Sequence, residues 1–375
     1  MTNLFFYGTL CHVPLLCRVL GRDESEIDLI PAELAGHAVY WAQGHDFPMI
    51  EANRTASATG LLAVGLSEQD IERLQFYEAG FDYATRMMTV TTALGDTAEA
   101  PVFFPDPGRW GRGEPWVLKD WVRRHAPATL AAAEEVMSLF GRIDGAQLVP
   151  LFPGIRRRAA SWVAAQERLS DPVEDMTADD VELLGRDWPH VGFFAMQEAE
   201  MRARRFDGTP GPVINRATID TGQAAVVLPY DPVRDLVLVV EQFRAPVYLA
   251  GDRHPWLREP VAGLIDPGET AEETVRREAM EEAGVEIGHL EPVGGAYASP
   301  GNSTLFLHLF VGLAELTPGD VGTGGVESEH EDIRFRVMPF DALMVDVDAG
   351  RLRDLPILTT ALWLARHRDR LRAMA

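Results

Sequence analysis

The chain has 375 residues, 57 of them acidic and 34 basic, and its formal net charge is -23. At roughly 100–200 residues per domain, this length predicts two domains, and an apolar fraction of 46% is enough for two cores. The acidic balance disfavours nucleic acids and anionic membranes as partners, because both would repel the protein. A small anionic substrate would need local help from metal ions or a few arginines.

The two cysteines and the first residues of the chain indicate the cellular compartment in which we expect the protein. Cys11 and Cys17 fit no CxxC spacing, which argues against a disulfide framework and favours a reducing cytoplasm. The N-terminus lacks a basic start, and its apolar stretch is broken at Gly8 and His12, so we predict no signal peptide. No run of about 18 uninterrupted apolar residues exists, so we expect no membrane span.

Strand-like segments dominate the first hundred residues. They are rich in β-branched and aromatic side chains and lie at Leu4–Tyr7, Thr59–Val64, Ala84–Thr91 and Ala100–Phe104. Asp70–Tyr77 has the pattern of a short helix. From about 126 to 168 an Ala-rich pattern predicts helices with a break at Pro150–Pro153, and Ser170–Asp180 is predicted to be a linker or the start of a helix.

The second half opens with a predicted hairpin. Ala224–Pro229 and Leu236–Gln242 are apolar runs joined by the proline-containing turn Tyr230–Asp235. Later elements are the strand Leu305–Val311, the glycine-rich acidic loop Thr317–His330 and the helix Ile357–Leu371.

The helix predicted at Thr270–Ala283 has the strongest local signals. Thr270 and Glu273 form a capping box, and Gly284 supplies the C-terminal stop. Three glutamates at i, i+3 and i+4 then share one helix face. They are Glu278, Glu281 and Glu282.

Three clustered carboxylates repel one another, and a hard divalent cation with oxygen ligands is the simplest compensation. Mg²⁺ or Mn²⁺ fits such ligands. Arg277 can orient one carboxylate, and Gly263 and Gly268 bracket a loop that must turn tightly before the helix. For three glutamates alone, a solvated acidic helix is the stronger interpretation.

The spacing of the whole segment favours a metal site over a solvated helix, because the segment resembles the Nudix box at every defining position. Those positions are Gly263, Glu269, Arg277, Glu278, Ala279, Glu281, Glu282, Gly284 and Val285. The resemblance extends from roughly Val181 to Arg366 and is to the ADP-ribose pyrophosphatase branch of the Nudix family. Further segments that carry it are Val191–Met196, Leu228–Asp235, Glu241–Arg244, Ala298–Gly301 and Glu329–Arg334.

The resemblance implies a role for each matching residue. The implied ligands of Mg²⁺ or Mn²⁺ are the carbonyl of Ala262 and the side chains of Glu278, Glu282 and Glu331. The implied substrate-binding residues are Arg216, Arg244, Pro300 and Gly301. The residues that would support the box are Gly263, Glu269, Arg277 and Gly284. Glu329 and Glu281 are the candidates for the catalytic base; if the loop is extended, Glu329 and Glu331 fall on the same side.

The reaction that the resemblance implies is hydrolysis of the pyrophosphate of ADP-ribose to AMP and ribose 5-phosphate. The branch works as a homodimer in which strands before Ala224 reach across, so Arg216 would serve the partner's site. Thr304–Leu305 stands where the branch often carries Ser-Glu, which keeps other nucleoside-diphosphate sugars open as substrates. A non-catalytic binding module is a third possibility, but a mere binder would not need the intact glutamate set.

The N-terminal region carries a second resemblance. Tyr7, Gly8, Thr9 and Leu10 follow a strand, and such a glycine turn is common by itself. With Leu74–Gly80 and Tyr83–Arg86, however, residues 1 to about 110 resemble the γ-glutamylcyclotransferase-like family, a small barrel with a pocket. The family's turn amides hold a carboxylate, and its acid maps onto Glu78. Gln75 and Ala79 depart from the family pattern, so both an active pocket and a vestigial or ligand-sensing role stay open.

The predicted fold class is α+β with three parts. These are a γ-glutamylcyclotransferase-like mixed β-barrel domain over 1–125, a helical connector over 126–179 and a Nudix α/β/α sandwich over 180–375. The combination resembles two-domain Nudix proteins linked to bacterial tellurite resistance.

Overall fold

The computed structural model describes residues 2–81, 83–168, 176–327 and 330–375. The chain divides into two compact units, Met1–Ala217 and Thr218–Ala375. The predicted domain boundaries at 125/126 and 179/180 stay predictions. Within the described ranges, no helix is both long and apolar enough to cross a membrane.

The first unit contains a closed barrel of five strands, as predicted. Its strands and the appended β6 are β1 (Thr2–Phe6), β2 (Asp28–Ala42), β3 (Pro48–Leu66), β4 (Ala84–Thr92), β5 (Thr97–Phe104) and β6 (Arg112–Pro115). The order is β3-β1-β5-β4-β2, and pairing of β2 with β3 closes the ring. Only β1 and β5 run parallel among these pairs, which makes the barrel mixed. Alternate residues such as Phe5, Leu62 and Val102 point inward and are fully buried.

Helices pack against the outside of the same barrel. They are α1 (Val13–Leu20), α2 (Glu68–Tyr77), α3 (Leu118–Arg124), α4 (Ala126–Ser138), α5 (Gly145–Leu148) and α6 (Phe152–Gln166). The predicted proline break is found as a 3₁₀ turn at Val149–Leu151. Val136 and Ile155 share one core with Leu4 and Phe6 of β1. The predicted helical connector is therefore part of the first unit's core.

A three-stranded sheet follows these helices. It consists of β7 (Val181–Val191), β8 (Ala195–Ala203) and β9 (Ile214–Asp220), in that order. Of the predicted linker Ser170–Asp180, residues 170–175 lie outside the described residues, and Ala178–Asp180 is a 3₁₀ turn. The buried pair Arg158–Glu135 anchors the β7–β8 turn, because the Arg158 guanidinium also donates to the carbonyl of Phe193 at 3.2 Å.

The second unit is built on an eight-stranded mixed sheet. Its strands are β10 (Gln223–Asp231), β11 (Leu236–Phe243), β12 (Trp256–Glu259), β13 (Val261–Leu264), β14 (Leu290–Tyr297), β15 (Phe306–Leu313), β16 (Val321–Gly324) and β17 (Ile333–Pro339). The main path is β14-β15-β10-β11-β17-β16, with β12 on β11 and β13 on β10. The predicted hairpin is confirmed as β10–β11, with Asp235 in its turn at φ 60°. β10 and β15 run parallel.

The prediction of a loop throughout Thr317–His330 is wrong at Val321–Gly324, which is β16. The segment pairs in antiparallel register with β17, from Val321 opposite Arg336 to Gly324 opposite Ile333. Two glycines lower its strand propensity, but backbone hydrogen bonds to a neighbour distant in sequence override that local preference.

Helices cover both faces of this sheet. They are α7 (Ala245–Leu249), α8 (Ala271–Ala283), α9 (Phe340–Asp348) and α10 (Leu355–Ala373). Side chains alternate along β10, so Ala225 and Val227 pack with α8 whereas Leu228 and Tyr230 pack with α9 and α10. The second unit is therefore the predicted α/β/α sandwich.

Candidate active site

The acidic helix α8 begins and ends where the sequence predicts. The Thr270 hydroxyl accepts a hydrogen bond from the Glu273 amide at 3.2 Å, and the Glu273 carboxylate accepts one from the Thr270 amide at 2.8 Å. Gly284 ends the helix with φ 63°, a conformation that glycine adopts without strain. These caps set the register that brings Glu278, Glu281 and Glu282 together.

Gly263 on β13 leaves the space that the Glu278 carboxylate occupies. A Cβ built on Gly263 would lie 1.8 Å from Glu278 Oε1 and 2.1 Å from its carboxyl carbon. The residue is in ordinary strand geometry, so close approach rather than backbone conformation requires glycine here.

We expect Gly263→Ala to lower kcat by about 10²-fold, the effect of misplacing a reacting group by about 1 Å. The fold should survive, because alanine suits a strand and only the Glu278 carboxylate must move. Gly185→Ala is the matched control, since a Cβ there meets nothing within 4 Å. Steady-state kinetics and melting curves of both variants test this; normal turnover in Gly263→Ala would contradict it.

Arg277 holds the carboxylates around it. Its Nε and Nη2 donate to the two oxygens of Glu269 at 2.9 and 3.1 Å, and its Nη1 donates to Glu278 at 2.8 Å and Glu281 at 3.0 Å. The bond from Arg277 lowers the pKa of Glu269 despite partial burial. A fork of this geometry fixes the orientation of three acids at once.

Glu282 is the most deeply buried acid of the cluster. It is 1% exposed, and its Oε2 has no hydrogen-bond partner within the described ranges. Burial raises its pKa to about 9, and the charges of Glu278 and Glu331 add to this effect. Burial likewise raises the pKa of Glu278 to about 7, although Arg277 opposes the shift. A buried carboxylate with an open oxygen is costly unless a cation compensates it.

The loop after β16 contacts the end of α8. The Gly325 amide donates to the carbonyl of Glu281 at 3.0 Å, and the Glu331 carboxylate accepts from the Val326 amide at 3.1 Å. Glu331 is close enough to Glu278 and Glu282 to raise the pKa of each. The loop therefore brings its acid to the helix glutamates.

Glu329, the predicted base, lies outside the described residues. Its assignment as the base stays a prediction. The next residue, His330, has φ 58°.

The donor set fits a hard divalent cation. Within the described ranges, no three His, Cys, Asp or Glu side chains already stand at metal-binding geometry; Arg277 instead takes the Glu278 and Glu281 oxygens as hydrogen-bond acceptors. Carboxylates are the ligands that Mg²⁺ and Mn²⁺ prefer, and in the part of the chain that the structure describes the buried Oε2 of Glu282 has no hydrogen-bond partner. Ala262, the implied carbonyl ligand, lies on β13 beside Gly263.

Arg244 is held by a residue that the sequence reasoning missed. Its Nε donates to the two oxygens of Glu259 at 2.8 and 3.1 Å, and its Nη2 donates at 2.5 Å. Glu259 is 5% exposed, whereas the Arg244 side chain is 40% exposed. The pair fixes the guanidinium while leaving it accessible. Pairing of β11 with β12 creates this contact, so no local signal could have shown it.

The other predicted substrate residues lie on exposed segments. Arg216 is exposed on β9 in the first unit and donates to the carbonyl of Asn215 at 2.8 Å. Pro300 and Gly301 are exposed in the turn between β14 and β15. Hydrogen bonds flank this turn, since the Thr304 hydroxyl donates to buried Asp220 at 2.7 Å.

The structure brings Glu78 to the turn at Tyr7–Leu10 in the first unit. A Cβ on Gly8 would lie 2.7 Å from Pro48, so the turn backbone packs closely on the neighbouring strand. Burial raises the pKa of Glu78 to about 8. Three tyrosine hydroxyls lie close enough to feel the charge of Glu78. Burial is the main reason why the pKa of each is raised, and the Glu78 charge adds to this effect; they belong to Tyr7, Tyr77 and Tyr83.

Together, the α/β/α sandwich, the tightly turned loop and the glutamate helix define a Nudix-type hydrolase unit beside a γ-glutamylcyclotransferase-like barrel. Residues 220–359 match the family profile described as NUDIX domain, and residues 4–123 match the profile described as gamma-glutamyl cyclotransferase, AIG2-like.

Curated relatives agree with the C-terminal assignment. The chain is 36% identical over 194 residues to an ADP-ribose pyrophosphatase of Escherichia coli (strain K12), covering 52% of this chain and 92% of that enzyme. It is 33% identical over 168 residues to an ADP-ribose pyrophosphatase of Haemophilus influenzae, covering 44% and 77%. A GDP-mannose pyrophosphatase of Pectobacterium atrosepticum is 37% identical over 139 residues, covering 37% and 70%. The chain belongs to the Nudix hydrolase family.

Proposed function

We propose that this protein hydrolyses the pyrophosphate bond of ADP-ribose to AMP and ribose 5-phosphate, with Mg²⁺ as its cofactor and Mn²⁺ as a substitute. The observation that carries the proposal is the glutamate cluster on α8, where Glu282 is buried with an open oxygen. Two relatives named ADP-ribose pyrophosphatase support the substrate.

The residues that would hold the cation are Glu278, Glu282, Glu331 and the carbonyl of Ala262. When bound, the cation would neutralise phosphate oxygens and stabilise the charge of the transition state. Arg277 keeps the cluster oriented through Glu269, Glu278 and Glu281.

Arg244 would bind a phosphate oxygen, because Glu259 presents its guanidinium in a fixed position. Arg216, Pro300 and Gly301 complete the proposed substrate contacts. A glutamate would take the proton of the attacking water. Glu329 is the first candidate for this base, and Glu281 is the second.

Hydrolysis of other nucleoside-diphosphate sugars is the alternative. Leu305 stands where the ADP-ribose pyrophosphatase branch often carries an acid, and one relative is named GDP-mannose pyrophosphatase. Formation of the nucleoside monophosphate from a panel of ADP-ribose, GDP-mannose and ADP-glucose separates the two. We expect the highest kcat/KM with ADP-ribose; a preference for GDP-mannose would select the alternative, and inactivity on the whole panel with Mg²⁺ and Mn²⁺ would remove both.

We further propose a cytoplasmic homodimer. The match to the E. coli enzyme spans 194 residues, more than Thr218–Ala375 contains, so it includes residues before Thr218. The β7–β8 hairpin in that region exposes apolar side chains, among them Val181, Leu183, Leu184 and Met196. Both cysteines are free, as expected in a reducing compartment.

Sedimentation velocity tests the dimer, for which we expect twice the chain mass of 41.4 kDa. If Arg216 serves the partner's site, Arg216→Ala should raise KM without changing the sedimentation coefficient. A fully active monomer would contradict the dimer.

For the first unit we propose a pocket for a small carboxylate ligand, such as a γ-glutamyl compound. The supporting observation is Glu78, whose pKa burial raises to about 8 and whose charge acts on the hydroxyls of Tyr7, Tyr77 and Tyr83. A carboxyl group with a pKa near neutrality suits general acid/base chemistry. Incubation of the full chain with γ-glutamyl amides and assay for 5-oxoproline tests activity, and ligand-induced melting shifts test binding alone.

Stability should fall as pH rises from about 4.5 to about 8, because the folded state holds the Glu78 proton more tightly. The pKa of Glu78 is about 8, against an ordinary value of 4.5. Below the ordinary value both states are protonated; above it only the unfolded chain ionises, which costs the fold about 1.4 kcal/mol per pH unit. Melting curves across this range should show a reduced slope in Glu78→Gln, whereas exposed Glu72→Gln should keep the full slope. Equal slopes in all three proteins would rule this out.

A further inference from the structure

A cleft rich in arginine opens on the second unit's sheet, beside α9. Its volume is about 180 Å³, well above the ~10–15 Å³ that a single water molecule requires, so a polyatomic ligand fits. We call it the arginine cleft; the residues that line it are Val239, Glu241, Arg258, Arg334, Arg336 and Met338. Three arginines against one glutamate give this lining an excess of positive charge, although the formal net charge of the chain is -23.

The strand register brings the charged residues of the cleft to one face of the sheet. Glu241 on β11 is opposite Arg258 of β12 and also opposite Arg334 of β17. Val239 is opposite Arg336. Residues directly opposite one another project from the same face of a sheet, so the three arginines surround one stretch of β11.

The arginine cleft and the proposed metal site lie on opposite faces of this sheet. Val239 and Met338 belong to the core that α9 and α10 share. Their chain neighbours Val240 and Val337 belong to the core that contains α8. Side chains alternate between the two faces along a strand, so the arginines project away from α8 and its glutamates. A ligand in the cleft is therefore independent of the proposed function.

The cleft arginines have hydrogen-bond donors to spare. Arg336 is exposed, and within the described ranges no group accepts a hydrogen bond from it. The Nη2 of Arg334 donates to Glu241 at 2.8 Å, and the Nη1 of Arg258 donates to Asp346 on α9. A guanidinium has five N–H donors, so each of these two bonds uses only one of them.

Positive charge is concentrated in the cleft beyond what its acids neutralise. Arg334 and Arg336 project side by side from β17, about 7 Å apart at the backbone, and Arg258 lies about 10 Å from Arg334 across β11. Like charges at such neighbouring positions repel one another. Glu241 pairs with Arg334, and Asp346 pairs with Arg258, but Arg336 is left over.

We propose that the arginine cleft binds a phosphate group, either as free phosphate or as the phosphate of a monoester. The planar fork of arginine matches two phosphate oxygens at once. A phosphate carries a charge of about -1.5 to -2 at pH 7, enough to neutralise the surplus at Arg336 and to compete with Glu241 for Arg334. The volume of the cleft leaves room for such an anion.

Titration calorimetry of the full chain with inorganic phosphate, in the presence of a chelator, tests the proposal. Arg336→Gln should weaken binding roughly tenfold, the contribution of a hydrogen bond between charged groups. Arg366→Gln is the matched control, because it removes an exposed arginine from α10 and should leave the affinity unchanged. Phosphate held at Arg244 is common to all these proteins, so the difference between them reports on the cleft.

Glu241→Gln should strengthen phosphate binding, because it removes the carboxylate that competes for Arg334. Damage to the fold would have the opposite effect, so the sign of this change separates a binding role from a structural one. If Arg336→Gln does not fold, Arg336→Lys provides the comparison: it keeps the charge but loses the planar fork, and should still weaken binding.

The same titrations with ribose 5-phosphate identify the source of the phosphate group. Tighter binding of ribose 5-phosphate than of inorganic phosphate, lost in Arg336→Gln, indicates a monoester, and the reverse order indicates free phosphate. Three results would overturn the proposal: wild-type affinity for both ligands in Arg336→Gln, an equal loss in Arg366→Gln, or weaker binding in Glu241→Gln.

Discussion

Glu282→Gln should lower kcat by about 10³-fold or more at saturating Mg²⁺, since several kcal/mol of charge stabilisation depend on the metal site. Glu282 is the buried member of the cluster, and its Oε2 has no hydrogen-bond partner among the residues that the structure describes. A neutral amide keeps the shape of the side chain but supplies a much weaker metal ligand.

The same substitution should leave the metal-free fold intact or stabilise it, because it removes a buried group whose charged form is repelled by Glu278 and Glu331. Glu272→Gln is the matched control, being an exposed glutamate on the first turn of α8. Kinetics with increasing Mg²⁺ and melting in a chelator measure the two effects. Normal turnover in Glu282→Gln would refute the assignment of the metal site.

Glu329→Gln should lower kcat by roughly 10²–10⁴, the usual contribution of a general base, with little change in metal affinity. The neighbouring described residues support a base from this loop, because Gly325 and Glu331 both lie beside the α8 glutamates. Glu281, the rival, accepts a hydrogen bond from Arg277 Nη1 at 3.0 Å, so one of its oxygens is already engaged by Arg277.

Three matched variants separate the candidates. Glu331→Gln should weaken Mn²⁺ binding in calorimetry, whereas Asp332→Asn, at an exposed loop position, should behave as wild type. Glu281→Gln should reduce kcat less than Glu329→Gln does. A reversed order would transfer the role of base to Glu281.

Local signals were sufficient for the centre of the site. The capping box at Thr270 and the glycine at 284 act within a few residues of the helix ends, so the sequence predicts α8 and its glutamate face correctly. The hairpin β10–β11 is likewise local. The Nudix box adds the need for glycine at 263, and the structure supplies the reason in the position of Glu278.

Contacts between distant segments could not be predicted in this way. Glu259 meets Arg244 only because β12 pairs with β11, and β16 is a strand only because β17 lies beside it. The contact between Gln223 and His308 depends on the parallel register of β10 and β15. A single sequence contains the residues of such pairs but not their register.

The barrel of the first unit and the large sheet of the second unit differ in their risk of aggregation. The barrel of the first unit closes on itself through β2 and β3, so its ring has no free strand edge. The sheet of the second unit is open, and its outermost strands are β14 and β16. β14 carries Pro292 and a register shift before Gly294, and β16 has only four residues. Short or irregular edge strands resist pairing with a strand of another molecule. The open sheet is therefore protected against such pairing at both edges, whereas the closed ring of the barrel does not need this protection.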